Sequence, residues 1–459
     1  MKNPHRSARS GIVRRSFAHI VSALGVLLLT AVPSAAQDLI PKPPAQEAPV
    51  LLVGGTVHTV SGPVIEDGLV MFDGGKLTRI GSAGELASMT IPTGVRQIDV
   101  TGHHVYPGLI APETPLGLTE TSSVRDTVDF YEIGDMNPEV RAVVAMNPDS
   151  TLLPVTMMGG VLIAGVMPSR GMMPGRAGVA RLAGWTNEDM TIDGDAGLVI
   201  NWPRVRTPSN SLTGKADRDG QKRADASLES LDAMFDTAEA YAAAKAVDQT
   251  TPTDLRLEAL RPYIDGDKPL LISANDYDRI VSAVTWAADR GYRVVLMGGR
   301  DAPLCSELLA ANDVAVITGG THAFPKRADL PHDHAFTLPS RLRDAGLAFC
   351  IGVADRAGNE RNLPHEAGMA ARYGLTPAEA VRAITLSAAE IFGIDGQYGS
   401  LDTGKSATLI VADGDILEVT TRVRFAFIDG REIPMRSKQT DLHDKYRERY
   451  EQLGIIEKP

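Results

Sequence analysis

"VYPGLIAPETPLGLTE" (residues 105–120) is the stretch on which the fold turns. A β-branched and aromatic run breaks at Pro107-Gly108, resumes as Leu109-Ile110, and opens into small and polar residues. A buried strand that delivers its C-terminal end to a pocket has this profile. Similar apolar runs recur at 155–167 (one piece or two), 196–202, 268–274, 292–298, 314–320 and 347–353. Their continuous apolar character, without in–out alternation, fits parallel strands covered on both faces. Segments 227–247, 277–291 and 304–312 lie between them and carry helical spacing. Alternation on this scale predicts an α/β protein built on a (β/α)₈ barrel across 105–394.

Both flanks of that region read differently. "VLLVGGTVHTVSGPVIEDGLVMFDGGKLTRIGS" (50–82) is a series of short strand runs separated by Gly-Gly, Ser-Gly-Pro and Asp-Gly turns. Hairpin chemistry returns at 395–435, so a small β-sandwich assembled from 50–104 and 395–435 is expected. In "GLTPAEAVRAITLSAAEIFGI" (374–394), Thr376 can cap a helix, Pro377 sits at its first position and Glu379 completes a capping box. The tail 436–459 predicts a charged helix with Leu442, Tyr446, Tyr450 and Leu453 on one face, docked on the body of the protein.

The N-terminus has the makings of an export signal. Five basic residues and no acid precede the apolar run 20–32, and "PSAAQ" offers a cleavage site after Ala36. "RRSF" (14–17) also matches a twin-arginine signal, so either export route is open and a periplasmic location is expected. A Pro-rich linker (37–49) follows, and nothing beyond the leader is long and apolar enough to span a membrane. The whole chain has a formal net charge of −11, and the leader contributes five of its positive charges. The mature surface is therefore more acidic still, which excludes a nucleic-acid partner and favours a small-molecule substrate or ligand. Oligomerisation is neither required nor excluded. Two cysteines, Cys305 and Cys350, allow a single bridge or two inert thiols; the strand-like surroundings of Cys350 favour the latter.

The order and separation of "DGLVMFDGGKLTRIG" (67–81), "VYPGLIAPETPLG" (105–117), "GLTPAEAVRAITLSAAEIFGI" and "GSLDTGKSATLIVADGD" (399–415) resemble the amidohydrolase superfamily, most closely its imidazolonepropionase-like branch. The resemblance implies hydrolysis of a non-peptide C–N bond in a cyclic or linear amide. It also implies one or two divalent ions held by a His-x-His after the first barrel strand, a strand-4 Lys, histidines on strands 5 and 6, and a strand-8 Asp.

Laid on this chain, that pattern leaves most positions without their usual residue. Glu113 and Pro115 stand in place of the first two histidines, "GLVINWPRV" (197–205) has no lysine, and the next two slots fall on Ser273 and Gly298. Asp355 alone keeps its position and is the expected catalytic base. Glu113, Arg170, Ser273 and His322 are the expected substrate-binding residues. No metal ligand is expected in the family positions. A single divalent ion, most plausibly zinc, remains an alternative through His332-x-His334, with His322 and Asp355 as further donors; solvated loop histidines are the plainer reading. The acidic segment 119–141 follows the first barrel strand and could line the mouth or be solvated surface, and the glycine-rich 168–178 could present Arg170, Arg176 and backbone N–H groups to a carboxylate ligand or be a plain loop. Two functions follow: a divergent hydrolase with a degenerate metal site, or an inactive amidohydrolase-fold protein that binds a small ligand or a partner.

Overall fold

The computed structural model describes residues 40, 42–88, 91–205, 218–353 and 357–457. The leader, and with it both export readings, lies outside these residues.

Among the described residues sixteen strands form two sheets. β1–β5 are Val50–His58, Val64–Asp73, Lys76–Ser82, Arg96–Asp99 and His104–Pro107. β6–β13 are Leu109–Thr114, Val161–Val166, Gly175–Arg181, Thr191–Asn201, Leu270–Ala274, Val294–Gly298, Ala315–Thr318 and Phe349–Ile351. β14–β16 are Leu409–Ala412, Val423–Ile428 and Arg431–Glu432. The first sheet runs β16-β15-β14-β5-β1-β2-β3, with β4 also paired to β1, so it draws on both ends of the chain. The second runs from β6 to β13 in sequence order.

The run "VYPGLI", expected as one strand, is divided between the two sheets. β5 pairs with β1 and β14, whereas β6 pairs with β7. Gly108 is the joint: its amide donates to the Thr408 carbonyl at 3.0 Å. A Cβ there would lie 2.9 Å from Leu162 Cδ1 and 3.0 Å from Thr408 Cγ2, so only glycine lets the chain cross at this spacing.

The second sheet curls into a nearly closed barrel. Ile110, Ile163, Val179, Val199, Leu271, Val295, Ile317 and Cys350, one from each strand, share a single buried cluster, which is the packed interior. Their neighbours Leu198, Ile200, Leu270, Ile272, Leu296 and Val316 point outward onto helices 218–247 and 277–289. Burial on both faces is why these strands read as unbroken apolar runs.

The barrel departs from the regular (β/α)₈ plan at β8, which is antiparallel to both β7 and β9. The segment 168–178 is therefore not all loop: its last four residues open β8. The run 155–167 likewise splits, with Leu152–Met157 a helix and only Val161–Val166 a strand. The capping box at Thr376 and Glu379 is present.

The terminal helix, Lys438–Gln452, contradicts the expected docking, since it buries none of its residues. Leu442, Tyr446, Tyr450 and Leu453 are 40–58% exposed. Four apolar residues make a narrow stripe on a helix that is otherwise charged. Both cysteines are buried free thiols, Cys350 inside the barrel, so no bridge joins them. Among the described residues no helix is long and apolar enough to cross a membrane.

Candidate functional site

A cavity of about 550 Å³ opens beside the C-terminal ends of β10–β13, the end at which barrel loops converge. Asn275, Gly298, Gly319, Gly320 and Val353 supply its floor from the strand ends. His322, Phe324 and Lys326 line it from the loop after β12, and His334, Asn362 and Glu366 from the following helical segments.

His322 is held here by a carboxylate that the sequence reading missed. Glu366 sits in the first turn of helix Leu363–Arg372 and is buried. Its Oε2 accepts from Thr321 Oγ1 at 2.8 Å and from the His322 amide at 2.8 Å, and it lies 3.1 Å from His322 Nδ1. A carboxylate only accepts, so an imidazole that keeps its proton on Nδ1 beside it would carry the lone pair on Nε2. The ring is 45% exposed at the cavity wall while the Glu366 side chain is 8% exposed. Gly320 makes room for this pairing: a Cβ there would lie 2.8 Å from the Val353 carbonyl and 3.1 Å from Glu366 Oε2. Nearby, burial and the His322 ring hold the His365 imidazole below its ordinary pKa.

His334 does not serve as half of a chelating pair. It lies buried at the start of helix His334–Asp344, where Nε2 meets the Arg300 carbonyl at 3.2 Å and Nδ1 meets Arg341 Nη1 at 3.2 Å. Both ring nitrogens are engaged, and burial lowers its pKa. His332 is exposed one turn away. Behind the cavity, buried Asp301 accepts from Arg327 Nη1 at 2.6 Å and from the Tyr277 amide at 3.1 Å, which braces the loop after β11.

Ser273 and Glu113 belong to the barrel rather than to this wall. Ser273 shares the face of Leu271, the interior residue of β10. Glu113 lies at the end of β6, and burial pushes its carboxyl up to about 7. Its negative charge and burial together push the Cys350 thiol up, which puts Glu113 close to the inner face of β13.

Arg170 is elsewhere. It is exposed, adopts φ +65°, and stacks over Tyr131 at 4.2 Å and Phe130 at 5.5 Å. The acidic segment 119–141 packs on the same side, with Ser169 donating to the Phe130 carbonyl and Asn137 to that of Met173. It therefore covers the β6–β8 rim and not the cavity. Asp355 lies outside the described residues, two positions beyond Val353.

A divalent ion needs three or four converging donors. Among the described residues, which leave out Asp355, no group of three or more His, Cys, Asp or Glu could hold one.

Comparison with known proteins agrees with the barrel. The amidohydrolase family model matches residues 284–434, from the helix before β11 through the last strands of the small sheet. Imidazolonepropionase of Sphingopyxis alaskensis is 29% identical over 119 residues, 25% of this chain and 28% of that protein, so the match spans little more than a quarter of the relative's length. The crystal structure of an amidohydrolase from Thermotoga maritima MSB8 superposes with a TM-score of 0.74 at 22% identity, over 84% of this chain and 100% of that one. An adenosine deaminase from Xanthomonas campestris with bound zinc superposes with a TM-score of 0.52 at 16% identity, over 91% of this chain and 100% of that one. The family match through the last barrel strands and the relative aligned over part of its length are similarities to amidohydrolases, and the superposed structures share the fold.

Proposed function

We propose that this protein is an exported hydrolase of the imidazolonepropionase-like branch that cleaves a non-peptide C–N bond in a small cyclic or linear amide, with a degenerate metal site. The observation that carries the reading is the His322–Glu366 pair on the wall of the cavity at the strand ends. Such a pair is a general base. His322 Nε2 takes a proton from water as the water oxygen attacks the amide carbon. Glu366 keeps the ring in the tautomer that can accept it and stabilises the imidazolium that forms. The C–N bond then breaks, and the leaving nitrogen takes up a proton. Because the described donors do not gather a metal-binding set, every step is assigned to side chains.

Asp355 is the base that the resemblance implies, and it lies outside the described residues. Comparing His322→Ala with Asp355→Asn separates the two assignments. The assay is product release from dihydrouracil, N-carbamoyl-β-alanine and N-acetyl amino acids. Turnover lost by about 100-fold or more in His322→Ala is the expected result. Full activity in that variant removes His322 from the mechanism. Tight binding of one of these compounds without turnover favours the second reading, a barrel that binds its ligand unchanged.

A further inference from the structure

We propose that Lys326 and Phe324 select the substrate, and that it carries a carboxylate at one end and an apolar chain at the other, as an N-acyl amino acid does. The inference concerns the cavity of His322 and rests on the hydrolase reading of it.

Both residues lie on the loop after β12 and line the cavity together with His322. The loop is pinned at two points. Near its start Thr321 Oγ1 donates to the Glu366 carbonyl at 2.9 Å and to the Glu366 carboxylate at 2.8 Å. Farther on, Arg327 Nη1 donates to buried Asp301 at 2.6 Å. Phe324 and Lys326 fall between these anchors, so the loop holds them to the same wall.

The charges on that wall are unequally matched. Glu366 is turned onto Thr321 and His322, and Arg300 is paired with Asp276. Arg327, next in the chain, is held by Asp276, Asp301 and Asp329. Lys326 is exposed and, among the described residues, has neither an ion pair nor a hydrogen bond. The wall thus offers an unpaired ammonium in a chain whose formal net charge is −11. Such a point charge pairs with a carboxylate and discriminates against a neutral group in its place.

The apolar half of the wall is as distinct. Phe324 is 91% exposed. A lone exposed ring is ordinary on a protein surface, but this one shares a cavity lining with Leu330 and Leu338. An acyl chain laid over them removes apolar surface from water. The cavity, at about 550 Å³, is within the range of small-molecule sites, roughly 300–1,000 Å³. With the carboxylate on Lys326 and the chain on Phe324, the amide between them lies along the wall that carries His322.

The test separates binding from turnover. Binding is measured by calorimetry with 4-oxononanoate, in which a methylene replaces the amide nitrogen of N-hexanoylglycine so that nothing can be cleaved. Its neutral carboxamide and the short-chain 4-oxopentanoate are the controls. Wild type is expected to bind 4-oxononanoate about 10-fold or more tightly than either control. Lys326→Gln should lose the preference for the acid over the carboxamide, and Lys326→Arg should keep it. Phe324→Ala should lose the preference for the longer chain. Wild type that fails to bind 4-oxononanoate or to tell it from its carboxamide, or Lys326→Gln that still tells them apart, overturns the inference. Release of hexanoate from N-hexanoylglycine tests the hydrolase reading separately. Release without the expected binding pattern leaves that reading standing and overturns the selection by Lys326 and Phe324. The expected binding pattern without release supports the selection and counts against the hydrolase reading.

Discussion

The half-buried carboxyl of Glu113 should make the stability of this protein depend on pH in a direction opposite to that of most carboxylates. Its ordinary value is 4.5, and in the folded chain it stands at about 7. A carboxyl that binds its proton more tightly when folded stabilises the fold while it is protonated, and that contribution is lost as pH rises from 4.5 through 7. A difference of 2.5 pH units corresponds to on the order of 3 kcal/mol, reduced where the carboxyl reaches water. Glu113→Gln keeps the shape and cannot ionise, so it should not share this loss. Urea denaturation midpoints of both proteins, measured from pH 4.5 to 7.5, isolate the effect. Taking the difference between them removes the contributions of His58, His334 and His365, whose lowered pKa values act on both proteins alike. Wild type should lose stability relative to the variant across this range. Curves that stay parallel to within about 0.5 kcal/mol would mean that Glu113 is solvated or paired, and would refute the reasoning.

Three further outcomes are expected. Gly165→Ala would drive a Cβ to 2.4 Å from the Pro112 carbonyl, so β6 must shift there; a loss of about 1–3 kcal/mol in denaturation is expected. Glu366→Gln replaces the acceptor of three short contacts by an amide, and the rate of hydrolysis should fall with little change in circular dichroism; an unchanged rate would separate Glu366 from catalysis. A thiol reagent should find neither cysteine in the folded protein and both after denaturation without reductant, because Cys305 and Cys350 are buried and unbridged.

Much of the architecture is legible in the sequence because it rests on local pattern. Unbroken apolar runs mark strands with two buried faces, and Leu271 pointing inward while Leu270 and Ile272 point outward is the structure behind that pattern. The capping box of Thr376 and Glu379 is local in the same sense. What is not legible depends on contacts far apart in the chain. Gly175–Arg181 reads as a loop because its glycines and arginines mask a strand that only its neighbours β7 and β9 define. Glu366 carries no sequence signal as a site residue; it becomes one when helix Leu363–Arg372 brings it against a loop 44 residues earlier in the chain. His332 and His334 have chelating spacing in an extended chain, but the helix that begins at His334 turns that ring onto Arg300 and Arg341. Glu113 was visible as a departure from the family pattern, whereas the register shift of β6 beside it was not.

The central claim is that this barrel does its chemistry with side chains at the β10–β13 end. Its most direct test is turnover of the amide panel by protein dialysed against a strong chelator, side by side with His322→Ala treated in the same way. Activity that survives chelation and is lost in the variant is the expected result. Activity abolished by chelation and restored by a divalent ion, or retained in full by His322→Ala, would contradict the claim.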